Sequence, residues 1–269
     1  MPPEPAGRGD ELPLRVSVAT LDRVIFPHPQ DGAPQLALER KASLEKDGRT
    51  RVWAQPFGGG VRILDARPLQ ALTGPLRFDS PRSQAEQDLR ILIAPPDWEA
   101  VKRFCIRCLQ DPENAVLEAS PQRELHEEFA ETLGLRLRPG QYTYRPAGFV
   151  VEDGPVPTDN VYARGLLTAR LYHIFEVRLL DRELGAALLA AGQGTTDPAL
   201  ARLAREDARR GGRGRANAVL TLSLSRVRQA YAALPPAGRY RGITLAGHAL
   251  DQSVLAILDG VDAPQYRRL

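Results

Sequence analysis

The sequence predicts an α/β (α+β) chain in which strands and helices share one domain, and three observations carry that expectation. Leu14 to Phe26 (LRVSVATLDRVIF) and Gly165 to Leu180 (GLLTARLYHIFEVRLL) are rich in β-branched and apolar residues and read as strands. Pro121 to Leu133, Arg182 to Ala191 and Pro198 to Arg210 carry helical periodicity and helix signals. No internal repeat or long low-complexity linker divides the 269 residues. A single domain is therefore expected over residues 11–269, preceded by a Pro- and Gly-rich polar tail at 1–10 for which disorder is expected.

In chain order, Leu14 to Phe26 supplies one or two strands, and three prolines with a glycine make Pro27 to Pro34 a loop. Gln35 to Leu44 reads equally as a short helix or a strand. Asp47-Gly48 before Arg51-Val52-Trp53-Ala54 predicts a hairpin turn, and the strand closes in Gly58-Gly59-Gly60. Ser83 to Ile93 is mixed, and Asp97 to Leu109 is an amphipathic helix with Asp97 as its N-cap. Gln141 to Tyr144 and Gly148 to Val151 read as two strands, with Glu152 and Asp153 in the loop that follows. Ala218 to Leu224 is a strand, Ser225 to Leu234 a helix, and Gly247 to Leu258 an amphipathic helix docked on the domain.

Composition narrows the class. A hydrophobic content of 43% supports a core, and no apolar run approaches the roughly eighteen residues a membrane span needs. The N-terminal MPPEPAGRGDELP has no apolar signal core, so a cytoplasmic protein without membrane contact is expected. The net charge of +3 comes almost entirely from arginine, since Lys41, Lys46 and Lys102 are the only lysines, and it argues weakly for nucleic acid. Cys105 and Cys108 form a single C-x-x-C. A redox pair or half a zinc site fits that spacing, but zinc would need two of only four histidines, His28, His126, His173 and His248. Positions three apart share a helix face, which favours plain core packing.

The chemically richest stretch is Ser120 to Gly134, SPQRELHEEFAETLG. Ser120 fits an N-cap, Pro121 the first helical position and Gly134 the left-handed stop. Glu124, Glu127, Glu128 and Glu131 are spaced by three, four and seven residues and fall in a band about 100° wide. Like charges so placed weaken a helix by roughly 0.2–0.5 kcal/mol per pair. A solvated acidic face tolerates that cost, whereas a hard cation such as Mg2+, Mn2+ or Ca2+ reverses its sign. Leu125, Phe129 and Leu133 form an adjoining apolar stripe.

Arg123-Glu124-Leu125-His126-Glu127-Glu128 reads Arg-Glu-apolar-any-Glu-Glu and resembles the second half of the Nudix box, the signature helix of the Nudix hydrolases. Trp53 to Val61 (WAQPFGGGV) is similar to the family's glycine-rich approach to that helix, but it lies about sixty residues upstream, so the box is divergent and split by an insertion at about 65–112. Asn114 and Ala115 stand where the family has a glycine and a glutamate, and Ala130 where it has a glycine. The resemblance implies an α/β/α sandwich with a mixed sheet, plus inserted and C-terminal helices. It implies hydrolysis of a diphosphate bond in a nucleoside diphosphate linked to another moiety. Mg2+ or Mn2+ would be held by Glu124, Glu127 and Glu128. Glu124 would also help accept a proton from water, Arg123 would fix a glutamate, and the backbone of Gly58, Gly59 and Gly60 would lie against metal and phosphates.

Two other readings stay open. One is a Nudix-fold nucleotide-binding or sensor protein that has lost catalysis, which Asn114, Ala115 and Ala130 favour. The other is a nucleic-acid-binding protein that uses the basic loop Arg209-Arg210-Gly211-Gly212-Arg213-Gly214-Arg215. Tyr142, Tyr144, Tyr162 and Tyr172 are candidates to stack on a nucleobase. Glu152 and Asp153 are candidates for a further base or metal ligand. The insertion is compatible with an active-site cover or with a homodimer contact.

Overall fold

The element with the most strand partners is β1 (Leu14–Pro27), with four strands paired along its two edges. The computed structural model describes residues 12–45, 47–119, 121–158, 163, 165–209, 217–240 and 242–269, leaving aside the side chains of Pro121, Glu124, Glu131, Thr132, Leu133 and Asn217. The expected tail at 1–10, the helix start at Ser120, Tyr162 and most of the basic loop lie outside these described residues.

After β1 come β2 (Pro34–Leu44), β3 (Thr50–Gln55) and β4 (Phe57–Gly60). Alternation settles the ambiguity over β2: Leu36 and Leu38 enter one core cluster and Ala37 enters another. Gly48, at φ +81°, turns β2 back into β3 as expected. The segment between the glycines and the acidic helix holds β5 (Arg62–Ile63), α1 (Arg67–Thr73), β6 (Arg77–Phe78), α2 (Pro81–Glu86), β7 (Arg90–Ile93), α3 (Trp98–Gln110) and β8 (Leu117–Glu118). Asp97 does not cap α3 with its side chain; Pro95–Asp97 form a 3-10 turn that leads straight into the helix. Segment 65–112 is built into the main sheet, since β7 pairs with β1 and Leu69, Ile91, Trp98, Val101 and Cys105 pack with Val16, Val18 and Leu171. Cys105 is fully buried and burial pushes its thiol far up, in keeping with core packing rather than redox chemistry.

The acidic helix is α4 (Pro121–Leu133), ended by Gly134 at φ +65°, whose N–H donates to the Ala130 carbonyl. It is followed by β9 (Tyr142–Pro157), β10 (Leu167–Leu179), α5 (Arg182–Gly194), α6 (Asp197–Arg209), β11 (Asn217–Ser223), α7 (Leu224–Ala232), β12 (Ile243–Leu245), β13 (His248–Leu250), α8 (Ser253–Ala256) and β14 (Arg267–Arg268). Two expectations fail here. The pair of short strands is one long β9, which absorbs Ala147 as an irregularity between Gly148, paired with Ile174, and Pro146, paired with Phe175. Glu152 and Asp153 therefore sit in a strand, with Glu152 wholly buried against Arg170 and Tyr240 and Asp153 joined to Lys102 and Arg267. Gly247 to Leu258 is not an amphipathic helix. Ala246 (φ +51°) and Gly247 (φ +83°) close the β12–β13 hairpin, and Val254 to Leu258 are apolar and fully buried, so they leave no polar face to turn outward.

Among the described residues twelve strands form one curled mixed sheet, β12-β13-β3-β2-β1-β10-β9-β14 with β4, β6, β7 and β11 attached off that path, while β5 and β8 pair in a separate two-stranded sheet. The chain is thus a mixed α/β fold. Even positions of β1 such as Val24 and Phe26 pack with Leu125 and Phe129 of α4 and Leu184 and Leu188 of α5. Leu21 and Ile25 face the opposite side, toward α7 and α8. Arg23 is buried on that second side, bonded at 2.6 Å to Glu176 and paired with Asp259. Burial alone would raise the Glu176 carboxyl, but hydrogen bonds from Arg178, Arg145 and Arg23 outweigh it and hold the pKa at about 2. No described helix is long and apolar enough to cross a membrane.

His173 lies in the core between Phe149 and Phe175, at centroid distances of 4.3 and 4.2 Å, and its Nδ1 has no hydrogen-bond partner among the described residues. Burial pushes its pKa down to about 4, so the folded state refuses a proton that the unfolded chain accepts below its ordinary 6.5. Stability is unaffected above pH 6.5 and falls as pH drops from 6.5 to about 4, with a limiting slope of about 1.4 kcal/mol per pH unit for one proton. Comparing Tm against pH for wild type and His173→Phe is expected to show that slope removed in the variant.

Candidate functional site

The edge of β1 that faces away from β10 is shared in turn by three strands. Leu14 to Ser17 pair with β7, Ala19 to Asp22 with β4, and Val24 to Pro27 with β2. The sheet must split where β4 hands over to β2, and α4 lies across that split with Phe129 against Phe57 at 5.2 Å. A cleft of ≈ 490 Å³ opens there, with Gly58, Gly59 and Gly60 at its centre.

The three glycines are not the loop the sequence suggested; they form β4 itself, antiparallel to Leu21, Thr20 and Ala19. Gly58 has φ +135°, and a Cβ there would run into the Thr20 carbonyl, so only glycine fits. At Gly60 a Cβ would run into the Asp88 carboxylate. The N–H of Gly58 is also not free to meet a ligand, because it donates to Glu128 Oε2 at 2.8 Å.

Glu128 therefore points from α4 into the cleft, its side chain 14% exposed. Opposite it on β2 stands Glu39, 1% exposed, with Lys41 Nζ at 2.8 Å from Glu39 Oε2 and 4.0 Å from Glu128 Oε1. Glu39 Oε1 is buried and has no hydrogen-bond partner among the described residues. Burial raises the Glu39 pKa against the pull of Lys41. Burial, and then the charge of Glu39, raise Glu128 well above the usual carboxylate range. Glu127, half exposed, turns instead to Arg123, whose Nη1 reaches its two carboxylate oxygens at 3.0 and 2.9 Å while Nε bonds Glu118 at 3.3 Å.

The far wall comes from segment 61–118. Arg62, Arg82 and Arg90 line the cleft, each near a carboxylate: Glu118 at 3.9 Å, Glu86 at 2.9 Å and Asp88 at 3.2 Å. Asp88 is buried and burial raises its pKa, with Arg90 opposing. Asn114 plays a local part, donating to the Leu117 carbonyl and accepting from the Val116 N–H.

The structure thus brings together Gly58, Gly59, Gly60, Arg123, Glu127 and Glu128 from the sequence reading. The side chain of Glu124 lies outside the described residues. Of the aromatic candidates, the three among the described residues do not line this cleft: Tyr172 is buried in the core, Tyr144 stacks on Phe175 at 4.8 Å, and Tyr142 bonds His126 at 2.8 Å. Sequence reasoning missed Glu39, Lys41 and Asp88. Three consecutive charges, Glu39-Arg40-Lys41, between the apolar Leu38 and Ala42 of a strand were the available signal for the first two.

Among the described residues no group of three or more His, Cys, Asp or Glu side chains stands close enough to hold a metal ion. The donor chemistry of Glu39 and Glu128 nevertheless fits a hard divalent cation. Both offer carboxylate oxygens, one oxygen lacks a hydrogen-bond partner among the described residues, and burial has raised the proton affinity of both, with the charge of Glu39 adding to it at Glu128, which a cation would relieve. No protein-family model matches the chain, and neither a curated protein nor a solved structure does.

The pair has a cost that can be measured. A carboxyl with a raised folded pKa destabilises the fold above its unfolded pKa, and the penalty disappears in acid, where both states are protonated. Glu128→Gln keeps an acceptor for the Gly58 N–H and removes the repulsion from Glu39. At pH 7 it is expected to raise Tm by about 2–4 °C, the shift that about 1 kcal/mol produces in a chain of this size. The gain should vanish near pH 4, and thermal scans at both pH values check it.

Proposed function

We propose that the chain is a metal-dependent hydrolase of the Nudix type that cleaves a diphosphate bond in a nucleoside diphosphate linked to another moiety. The observation that carries this reading is the buried Glu39–Glu128 pair facing Gly58 to Gly60 in a cleft ringed by Lys41, Arg62, Arg82, Arg90 and Arg123. Sequence resemblance at Arg123 to Glu128 and at Trp53 to Val61 supports it independently.

Each group has a part in that chemistry. The guanidinium groups and Lys41 would hold phosphate oxygens, with arginine's planar donors suited to grip two at once. Gly58 to Gly60 let the phosphates approach the backbone without side-chain obstruction. Glu39 and Glu128, with raised proton affinity, are suited to take a proton from water, and Glu39 would be the base that the α4 pattern alone does not contain. Arg123 would hold Glu127 in place. Glu128 and Glu39, with Glu127 and Glu124 as the resemblance assigns them, would hold Mg2+ or Mn2+. Such an ion supplies charge neutralisation at the phosphates and a more acidic bound water.

A second reading, a nucleotide sensor without turnover, is favoured by Asn114 and Ala115. Asn114 is spent on local turn contacts where the family pattern has glycine. The two readings separate in one assay of product release from a panel of diphosphate compounds with Mg2+, Mn2+ or EDTA. The hydrolase is expected to require metal and to lose at least about 100-fold in rate in Glu127→Gln and Glu128→Gln. Metal-independent thermal stabilisation by nucleotide, without any turnover, would establish the sensor instead.

A further inference from the structure

A second cleft, ≈ 650 Å³, adjoins the first and shares Gln55 with it. Its size is that of a small-molecule site, about 300–1,000 Å³. Glu39 pairs with Gln55 and Lys41 with Trp53, so these four side chains rise from the same face of the β2–β3 ladder and run from one cleft into the next. The opposite wall is the β12–β13 hairpin, held close because Gly242 packs on the Leu250 carbonyl where no Cβ would fit. Arg170, Asp251 and Gln252 complete the lining.

Trp53 is half-buried there, and its indole N–H is already satisfied by Gln55 Oε1 at 2.9 Å. What the ring still offers is its π-face. The exposed Arg51 guanidinium now stands over that ring, 5.3 Å from the centroid. An exposed cation–π contact is weaker than base stacking, so an aromatic ligand can displace it. Asp251, whose Oδ1 already accepts from the Ser253 N–H and hydroxyl, and Gln252 line the cleft as polar residues that suit the edge of a base, and Arg170, fixed by Glu152 at 3.0 and 2.9 Å, supplies a rigid cation.

We propose that this second cleft is the subsite for the nucleobase half of the substrate, with Trp53 as its stacking platform and Gln55 as the joint between base and diphosphate. The assignment rests on the nucleotide-hydrolase reading above. It also replaces the tyrosines as the aromatic contact, since the tyrosines described are spent in core and helix contacts. It orients the substrate, with its nucleoside over β3 and its other moiety toward Arg62, Arg82 and Arg90.

The test uses AMP, which has a base but no diphosphate to cleave, in EDTA. The chain has two tryptophans, and Trp98 is buried beside Lys102, so it serves as an internal reference for fluorescence. AMP is expected to quench Trp53 emission, to bind at least about tenfold more weakly to Trp53→Ala by calorimetry, and to bind Trp53→Tyr nearly as well as wild type. Ribose 5-phosphate is expected to bind wild type and Trp53→Ala alike. Equal AMP affinity in wild type and Trp53→Ala, or no AMP binding to wild type, would overturn the proposal. AMP and GMP run in parallel report which base is preferred. The two readings fail separately: AMP binding at Trp53 without turnover of any diphosphate compound leaves the subsite and removes the hydrolase, whereas turnover with an unchanged KM in Trp53→Ala leaves the hydrolase and removes the subsite.

Discussion

Everything at the cleft depends on one strand having more partners along an edge than a straight ladder can serve. β1 gives one edge to β10 in continuous parallel register from Arg15 to Ile25, and divides the other among β7, β4 and β2. Right-handed twist makes successive partners diverge, so the sheet opens where β4 gives way to β2. The opening is polar because the residues on its sides are Glu39, Lys41 and Gln55 from one strand pair and bare glycine backbone from the other. Helix α4 closes the split from above with Leu125 and Phe129 in the core and Glu128 turned in.

That arrangement sets a conflict at the centre of the molecule. Burying two carboxyl groups near each other costs stability unless a proton or a cation neutralises them. Lys41 neutralises part of the charge, and the Gly58 N–H stabilises Glu128. Elsewhere the fold handles buried charge differently: Glu176 is surrounded by three arginines, and Glu152 by Arg170 and Tyr240. Those sites are fully partnered, whereas Glu39 keeps an oxygen without a hydrogen-bond partner among the described residues. Charge left unresolved in a cleft, in a fold that partners Glu176 and Glu152 fully, marks a functional position more convincingly than an acidic helix face does.

Much of this was legible in the residues. Pro121 to Leu133 was readable as a helix because cap, stop and apolar stripe agree, and the long strands because β-branched runs leave little choice. The glycines were recognisable as special, but not as a strand, since pairing with Ala19 to Leu21 is a tertiary fact. Gly247 to Leu258 misled because a wholly buried segment and an amphipathic one share apolar spacing over a short window. Glu39 and Trp53 were invisible as site residues. Their importance comes from the register of β2 with β3 and from a hairpin nearly two hundred residues away, and neither has a local signature.

The most direct measurement on the central claim is the titration of Glu39 and Glu128 by carboxyl carbon NMR, with and without Mg2+. The account predicts that both groups, or the pair jointly, titrate above the ordinary glutamate range in the free protein, and that Mg2+ lowers them while leaving Glu152 unmoved. Ordinary titration of both groups, unchanged by Mg2+, would contradict it.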